Sequence, residues 1–173
     1  PIANTTDKKF VDEADQAFRE FCNSEKIITE FVRFNPLLQN QKLVEGVAGL
    51  QIITLRDYVA VDLSHTADGI FAAYSAQNRN KIRKAEKVGA KIVIDHELKN
   101  FDAFVSIYLE NMERLHATKM YFFSAEFFKG LKELTKKSGV LLHAMMDGQI
   151  VGSTVFFKSN QYSHYFLSSA TEF

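Results

Sequence analysis

Between Ala90 and Leu167 the period of the apolar pattern switches from strand to helix and back, and that order admits few architectures. Ala90 to Asp95 is a β-rich run. Phe101, Phe104, Val105, Tyr108, Leu109, Met112 and Leu115 then recur at helical spacing. Ser124 is placed to cap a further helix, with Phe123 before the cap and Phe128 at its fourth position set to form a hydrophobic staple. Lys136 and Lys137 fall in its last turn and Gly139 follows, as the helix dipole and C-cap chemistry favour. Val140 to Met146 and Gln149 to Lys158 read as strands joined by Asp147-Gly148, a strong hairpin signal, and Tyr162 to Leu167 as a third strand. The predicted order is strand, helix, helix, then a three-stranded antiparallel meander.

The preceding residues read differently. Phe10 to Phe21 is an amphipathic helix with Asp7 as N-cap and Asn23-Ser24 as stop. Ile27 to Phe34 predicts a strand ended by Asn35-Pro36, and Leu50–Leu55 with Tyr58–Leu63 predicts a hairpin. The polar stretch Leu63 to Gly69 marks a boundary, dividing the chain into 1–66 and 67–173. Ile70 to Val88 predicts one long helix closed by Gly89. Strands mixed with helices and hairpins give an α+β or mixed α/β class, a mixed sheet with packed helices.

Composition excludes several classes. Hydrophobic residues at 46% are too many for a disordered chain. No apolar run reaches a membrane span, and no signal peptide is recognisable. One cysteine, Cys22, leaves no internal disulfide or cysteine-based zinc site and fits a reducing cytoplasm. Cys22 lies among Phe18 and Phe21 and is expected to be a buried, inert thiol. Lys+Arg and Asp+Glu are each 21, so a basic surface is expected only as a local patch. The chain opens with Pro1 and stops at Phe173, straight after strand-like sequence, and is expected to be a piece of a longer protein. The unpaired sheet edges of such a piece predict a homodimer, or pairing of the Leu50–Leu63 hairpin with the meander.

Motifs for serine hydrolysis, zinc proteolysis, P-loop and dinucleotide binding are absent, and the five histidines show no ligand spacing. No metal site is expected and no catalytic residue is assigned. The most unusual stretch is Asn78 to Lys91. It holds Arg79, Lys81, Arg83, Lys84, Lys87 and Lys91 against one acid, Glu86. On a helix, Arg79, Arg83 and Lys87 share a face and repel one another unless an anion is near, and phosphate matches the arginine fork. A solvated basic face is the plainer reading. Arg33, flanked by aromatics, is either a ligand contact or a partly buried structural arginine. Tyr121-Phe122-Phe123 and His164-Tyr165-Phe166 are mostly core, with polar tips able to line a pocket.

The strings NRNKIRKAEKVGAKI (78–92), ERLHATKMYFFSAEFF (113–128), DGQIVGSTVFF (147–157) and HYFLSSA (164–170), with TEFVRFNPLLQN (29–40), resemble the FemABX family. Those aminoacyltransferases, which include methicillin-resistance proteins, extend peptidoglycan interpeptide bridges in cell-wall synthesis. Asn35 stands where members often carry a His. The resemblance implies two domains of the GNAT acyltransferase fold. Residues 10–63 would end one GNAT-like domain and residues 90–168 would begin a second, stopping before the pyrophosphate-gripping helix. It also implies aminoacyl-tRNA as donor, no cofactor, and a nucleotide-linked muropeptide acceptor. Carried over by motif, Arg79 and Tyr121 would hold the acceptor diphosphate, with Arg83 and Lys84 next and Arg33 after them. Two alternatives remain: a GNAT-like N-acyltransferase using acyl-CoA on a small molecule or polysaccharide precursor, and a non-catalytic module binding RNA or another anion.

Overall fold

The computed structural model describes residues 5–172, so the chain ends Pro1 and Phe173 lie outside the described residues. The chain divides into two compact units, Pro1–Leu63 and Ser64–Phe173. Among the described residues it is a mixed α/β protein with five α-helices and one four-stranded antiparallel sheet.

The first unit is built on α1 (Lys8–Ser24). Asp7 caps it, its carboxylate accepting the Lys9 amide at 3.0 Å. Ion pairs one turn apart run along it: Lys8–Asp12 at 3.2 Å and Arg19–Asp15 at 2.6 Å. Arg19 also donates to the Ala48 carbonyl, tying α1 to the loop after a 3-10 turn at Asn40–Val44. Val44 and Val47 are buried.

In the second unit come α2 (Ala67–Ala73), α3 (Ala76–Lys87), β1 (Lys91–Ile94), α4 (Phe101–Arg114), α5 (Ala125–Ser138), β2 (Gly139–Met146), β3 (Gln149–Ser159) and β4 (Tyr162–Ala170). The strands lie in sequence order, each antiparallel to the next. The predicted strand, two helices and meander are therefore present. Asp147 and Gly148 turn between β2 and β3 with φ of 50° and 78°, the two positive values that a hairpin matching strand twist requires. Ser124 accepts the Phe127 amide at 3.2 Å, and the Phe123 and Phe128 rings meet at 6.2 Å as the staple. Helix α4 lies against β3 and β4, and α5 against β2 and β3. Phe101, Phe104 and Tyr108 of α4 and Phe128 and Leu131 of α5 bury a core on the cross-strand pair Leu141–Val155. Each such aromatic contributes a few kcal/mol, about 1.5–3 by area.

Several expectations need correction. The sheet is antiparallel throughout rather than mixed. Residues 27–34 and 50–63 form no strands, and among the described residues the sheet consists of β1 to β4. Their β-branched composition suits a pleated, half-buried surface, and Ile28, Phe31 and Val59 are 94%, 73% and 88% exposed. Without burial the preference has nothing to act on. The single helix over Ile70–Val88 is two, because Ser75 breaks it and caps α3, its hydroxyl accepting the Asn78 amide at 3.2 Å. Gly89 does close α3, with φ of 85° and its amide on Glu86, while the Ala90 amide bonds Ala85. Cys22 is half-buried rather than buried, since α1 carries no buried residue. Tyr121, Phe122, Tyr165 and Phe166 are exposed, and only Phe123 of those clusters packs on the core.

Gly139 caps α5 in an extended conformation, so close packing rather than a left-handed turn requires it. A Cβ there would lie 2.9 Å from Thr135 Cα and 3.0 Å from the Phe156 carbonyl oxygen. Gly139→Ala should cost about 1–3 kcal/mol, read as a lower urea midpoint with unchanged slope.

Candidate functional site

The basic segment forms α3, and its two arginines turn toward α2. Arg79 is half-buried and donates through Nη1 to the Ala72 carbonyl at 2.9 Å and to the Tyr74 carbonyl. These carbonyls sit at the C-terminal end of α2, where helical donors run out. One turn on, the Arg83 guanidinium lies 5.3 Å from the centre of the Phe71 ring, a cation–π contact. Lys84 is exposed in the last turn of α3, beside Lys87. Among the described residues no carboxylate pairs with Lys81, Arg83, Lys84 or Lys87.

Tyr121 ends a 3-10 turn at Lys119–Tyr121 that leads into the Ser124 cap. Its carbonyl accepts the Tyr108 hydroxyl at 3.0 Å, while its own ring is 48% exposed. Burial raises the Tyr108 phenol above its ordinary 10.0, and Tyr121 adds to the rise. Among the described residues no hydrogen bond or ring contact joins Tyr121 to α3. Arg33 belongs to the first unit, where it is exposed rather than partly buried and lies 5.9 Å from the centre of its neighbour Phe31's ring. The structure thus brings Arg79, Arg83 and Lys84 together on one helix, places Tyr121 on a separate turn of the same unit, and leaves Arg33 in the other unit.

A second polar group was not anticipated. His143 is 1% exposed on the core face of β2. Its Nδ1 lies 2.7 Å from the Ser153 hydroxyl on β3, and its Nε2 lies 3.4 Å from Asp95 at the end of β1. With the proton on Nε2, the neutral ring donates to Asp95 and accepts from Ser153, which satisfies all three groups. Asp95 also accepts the amides of Lys99 at 3.0 Å and Asn100 at 2.7 Å. Burial pushes the Asp95 carboxyl up, but the Asn100 and Lys99 amides and then His143 outweigh it and hold it below its ordinary 3.8. Ser169, opposite Ser153 on β4, completes the row, its buried hydroxyl bonding no group among the described residues. Beneath two helices, with Ser153 3% exposed, the Asp–His–Ser arrangement presents no open nucleophile and serves as a buried polar clamp.

The signal for this clamp is weak in the sequence. Counting back from the Asp147-Gly148 turn pairs His143 with Gly152. A bulge between Ala144 and Met145 shifts the register so that Ser153 faces it instead.

Among the described residues no cluster of three or more His, Cys, Asp or Glu could hold a metal ion, and no helix is long and apolar enough to cross a membrane. No protein-family model and no curated protein matches this chain.

Two predictions follow the geometry. Arg79→Ala leaves the α2 carbonyls without their donor and should cost about 1 kcal/mol, lowering the melting midpoint by about 2–4 °C. Asp95→Asn should cost about 1.5–3 kcal/mol at neutral pH. Because the folded-state value lies below 3.8, the unfolded chain binds a proton first as pH falls. The Asp95 contribution is complete above the ordinary value and is lost as pH drops through the folded one. Urea midpoints of the two proteins should therefore converge under acid.

Proposed function

We propose that the chain belongs to an aminoacyltransferase of the FemABX kind, which moves an amino acid from aminoacyl-tRNA to an amine of a peptidoglycan precursor in the cytoplasm. One observation carries the reading. The strand, two helices and meander over 91–170 run in the order that the GNAT-like half-domain implied by the resemblance would have, with one resembling string on the helix just before it and two on its joints. N-R-N-K-I-R-K lies on α3, M-Y-F-F-S on the turn that caps α5, and D-G-Q-I-V-G on the β2–β3 hairpin.

In this reading the precursor amine attacks the ester carbonyl of the aminoacyl group. The new C–N bond forms as the bond to the ribose oxygen breaks, and the proton lost by the amine ends on that oxygen, which leaves as a hydroxyl. The protein contributes position and charge stabilisation. Arg83, Lys84 and Tyr121 would meet the acceptor diphosphate. Arg79 would join them from a guanidinium already anchored on α2, which fixes the helix that presents the others.

Calorimetric titration with a nucleotide-linked muropeptide tests this. The protein should bind it, and Arg83→Ala should weaken binding by about 1.5–3 kcal/mol, the range for hydrogen bonds to charged groups. Equal affinity of the two proteins would remove Arg83 from the site. Absence of binding together with absence of transfer from aminoacyl-tRNA would overturn the reading.

A further inference from the structure

At the C-terminal end of α4 the surface opens into a cleft of about 230 Å³ between that helix and the end of β4. Glu110, Asn111 and Arg114 line it from the helix, and Ala170, Thr171 and Glu172 from the end of the strand. Its charges are not paired with one another. Glu110 and Arg114 stand four residues apart in the order that favours an ion pair, and on α1 Asp15 and Arg19 form one at that spacing. Among the described residues no carboxylate pairs with Arg114. It donates instead through Nη2 to the Asn111 side-chain oxygen at 2.5 Å and, weakly, to the Ala170 carbonyl at 3.4 Å. The donors on its other two nitrogens have no partner among the described residues. Glu110 accepts the Ser106 hydroxyl at 3.0 Å through one oxygen only. Glu172 makes no ion pair or hydrogen bond among the described residues, although the chain before it is held. The Thr171 amide and hydroxyl both donate to the Val151 carbonyl, at 3.0 and 3.2 Å.

We propose that this cleft binds a free basic amino acid, with arginine the best fit. The ligand's carboxylate takes the unused donors of Arg114, and its ammonium and guanidinium take Glu110 and Glu172. Two acids and one cation give the cleft a net negative charge, which a basic amino acid neutralises while providing every charge with a partner. A diamine would set a like charge against Arg114, and a neutral amino acid would leave one glutamate unpaired. Arginine fits better than lysine because its guanidinium is more weakly hydrated and meets a carboxylate through two parallel bonds. The volume lies below the roughly 300–1,000 Å³ of sites for drug-sized ligands, so the occupant is small. An aminoacyl ester has no free carboxylate for Arg114, so this is not the donor's place in the transferase reading. The acceptor groups of that reading lie on α3 and the turn before α5. The inference stands apart from it: a chain that transferred nothing would keep this cleft.

The test is an NMR chemical-shift titration at low ionic strength, followed at the Arg114 and Glu172 amides, with three ligands. They are L-arginine, agmatine, which lacks the carboxylate, and 5-guanidinopentanoate, which lacks the ammonium. At the strength of exposed ion pairs, each analogue should bind about fivefold more weakly than arginine. Arg114→Gln should weaken arginine about fivefold and leave agmatine no weaker, so that the two bind alike. Glu172→Gln should weaken both. These side chains are exposed, so the variants should keep the wild-type melting midpoint. The analogues carry the test in the unaltered protein should a variant fail to fold. Binding of arginine with these responses supports the site. No shift at either amide with arginine at about 10 mM, a concentration well above the ~1 mM that corresponds to −4.1 kcal/mol, overturns it. So does agmatine or 5-guanidinopentanoate bound as tightly as arginine by the wild-type protein, or an unchanged preference for arginine over agmatine in Arg114→Gln.

Discussion

Asp95 is the joint on which the second unit turns. Its amide bonds the Leu141 carbonyl and so extends the β1–β2 ladder by one residue. Its carbonyl accepts the Leu98 amide, and its carboxylate accepts those of Lys99 and Asn100. One residue thereby ends a strand, folds the tight turn in which Leu98 takes a φ of 54°, and aims α4 at the sheet. Leu98, Phe101 and Phe104 are then buried within two turns of one another. A carboxylate so placed needs donors on every side, and His143 supplies the remaining one from β2. Leaving a buried charge partly unsatisfied would cost more than any of these bonds adds.

The core beside this joint is arranged in rows across the sheet. Leu141, Val155 and Leu167 form an apolar row that receives the aromatic residues of α4 and α5. One row further lie His143, Ser153 and Ser169. Polar groups in such a place are normally bonded, and two of the three are. Both rows depend on two register shifts, at Ala144/Met145 and Val155/Phe156. Without the first, His143 would face a glycine and its Nδ1 would lose the Ser153 hydroxyl.

These shifts explain what was legible in the sequence and what was not. The α4 stripe, the Ser124 cap with its Phe123–Phe128 staple and the Asp147-Gly148 turn are local signals, each decided within a few residues, and each is present. The strands expected at 27–34 and 50–63 rested on β-propensity, which expresses burial against a partner strand that these exposed segments lack. The break at Ser75 was hidden because helical spacing on both sides of it hardly changes, and one capping hydroxyl decides it. The basic helix itself was legible from composition. What its side chains touch was not, since Ala72, Tyr74 and Phe71 lie up to a dozen residues away across a corner that the expected single helix does not contain.

That corner changes the meaning of the charge on α3. A uniform basic helix would be a solvated face with no division of labour. Here the two arginines have the partners their planar groups suit, carbonyl oxygens for Arg79 and an aromatic face for Arg83. The lysines keep their ammoniums in water. Because Arg79 sits where α2 ends, its guanidinium, with the Ser75 cap and the Arg83–Phe71 contact, ties the direction in which α3 leaves that corner to α2. Local charge and local fold are therefore coupled: a change at Arg79 would alter how the remaining cations are presented without touching any of them.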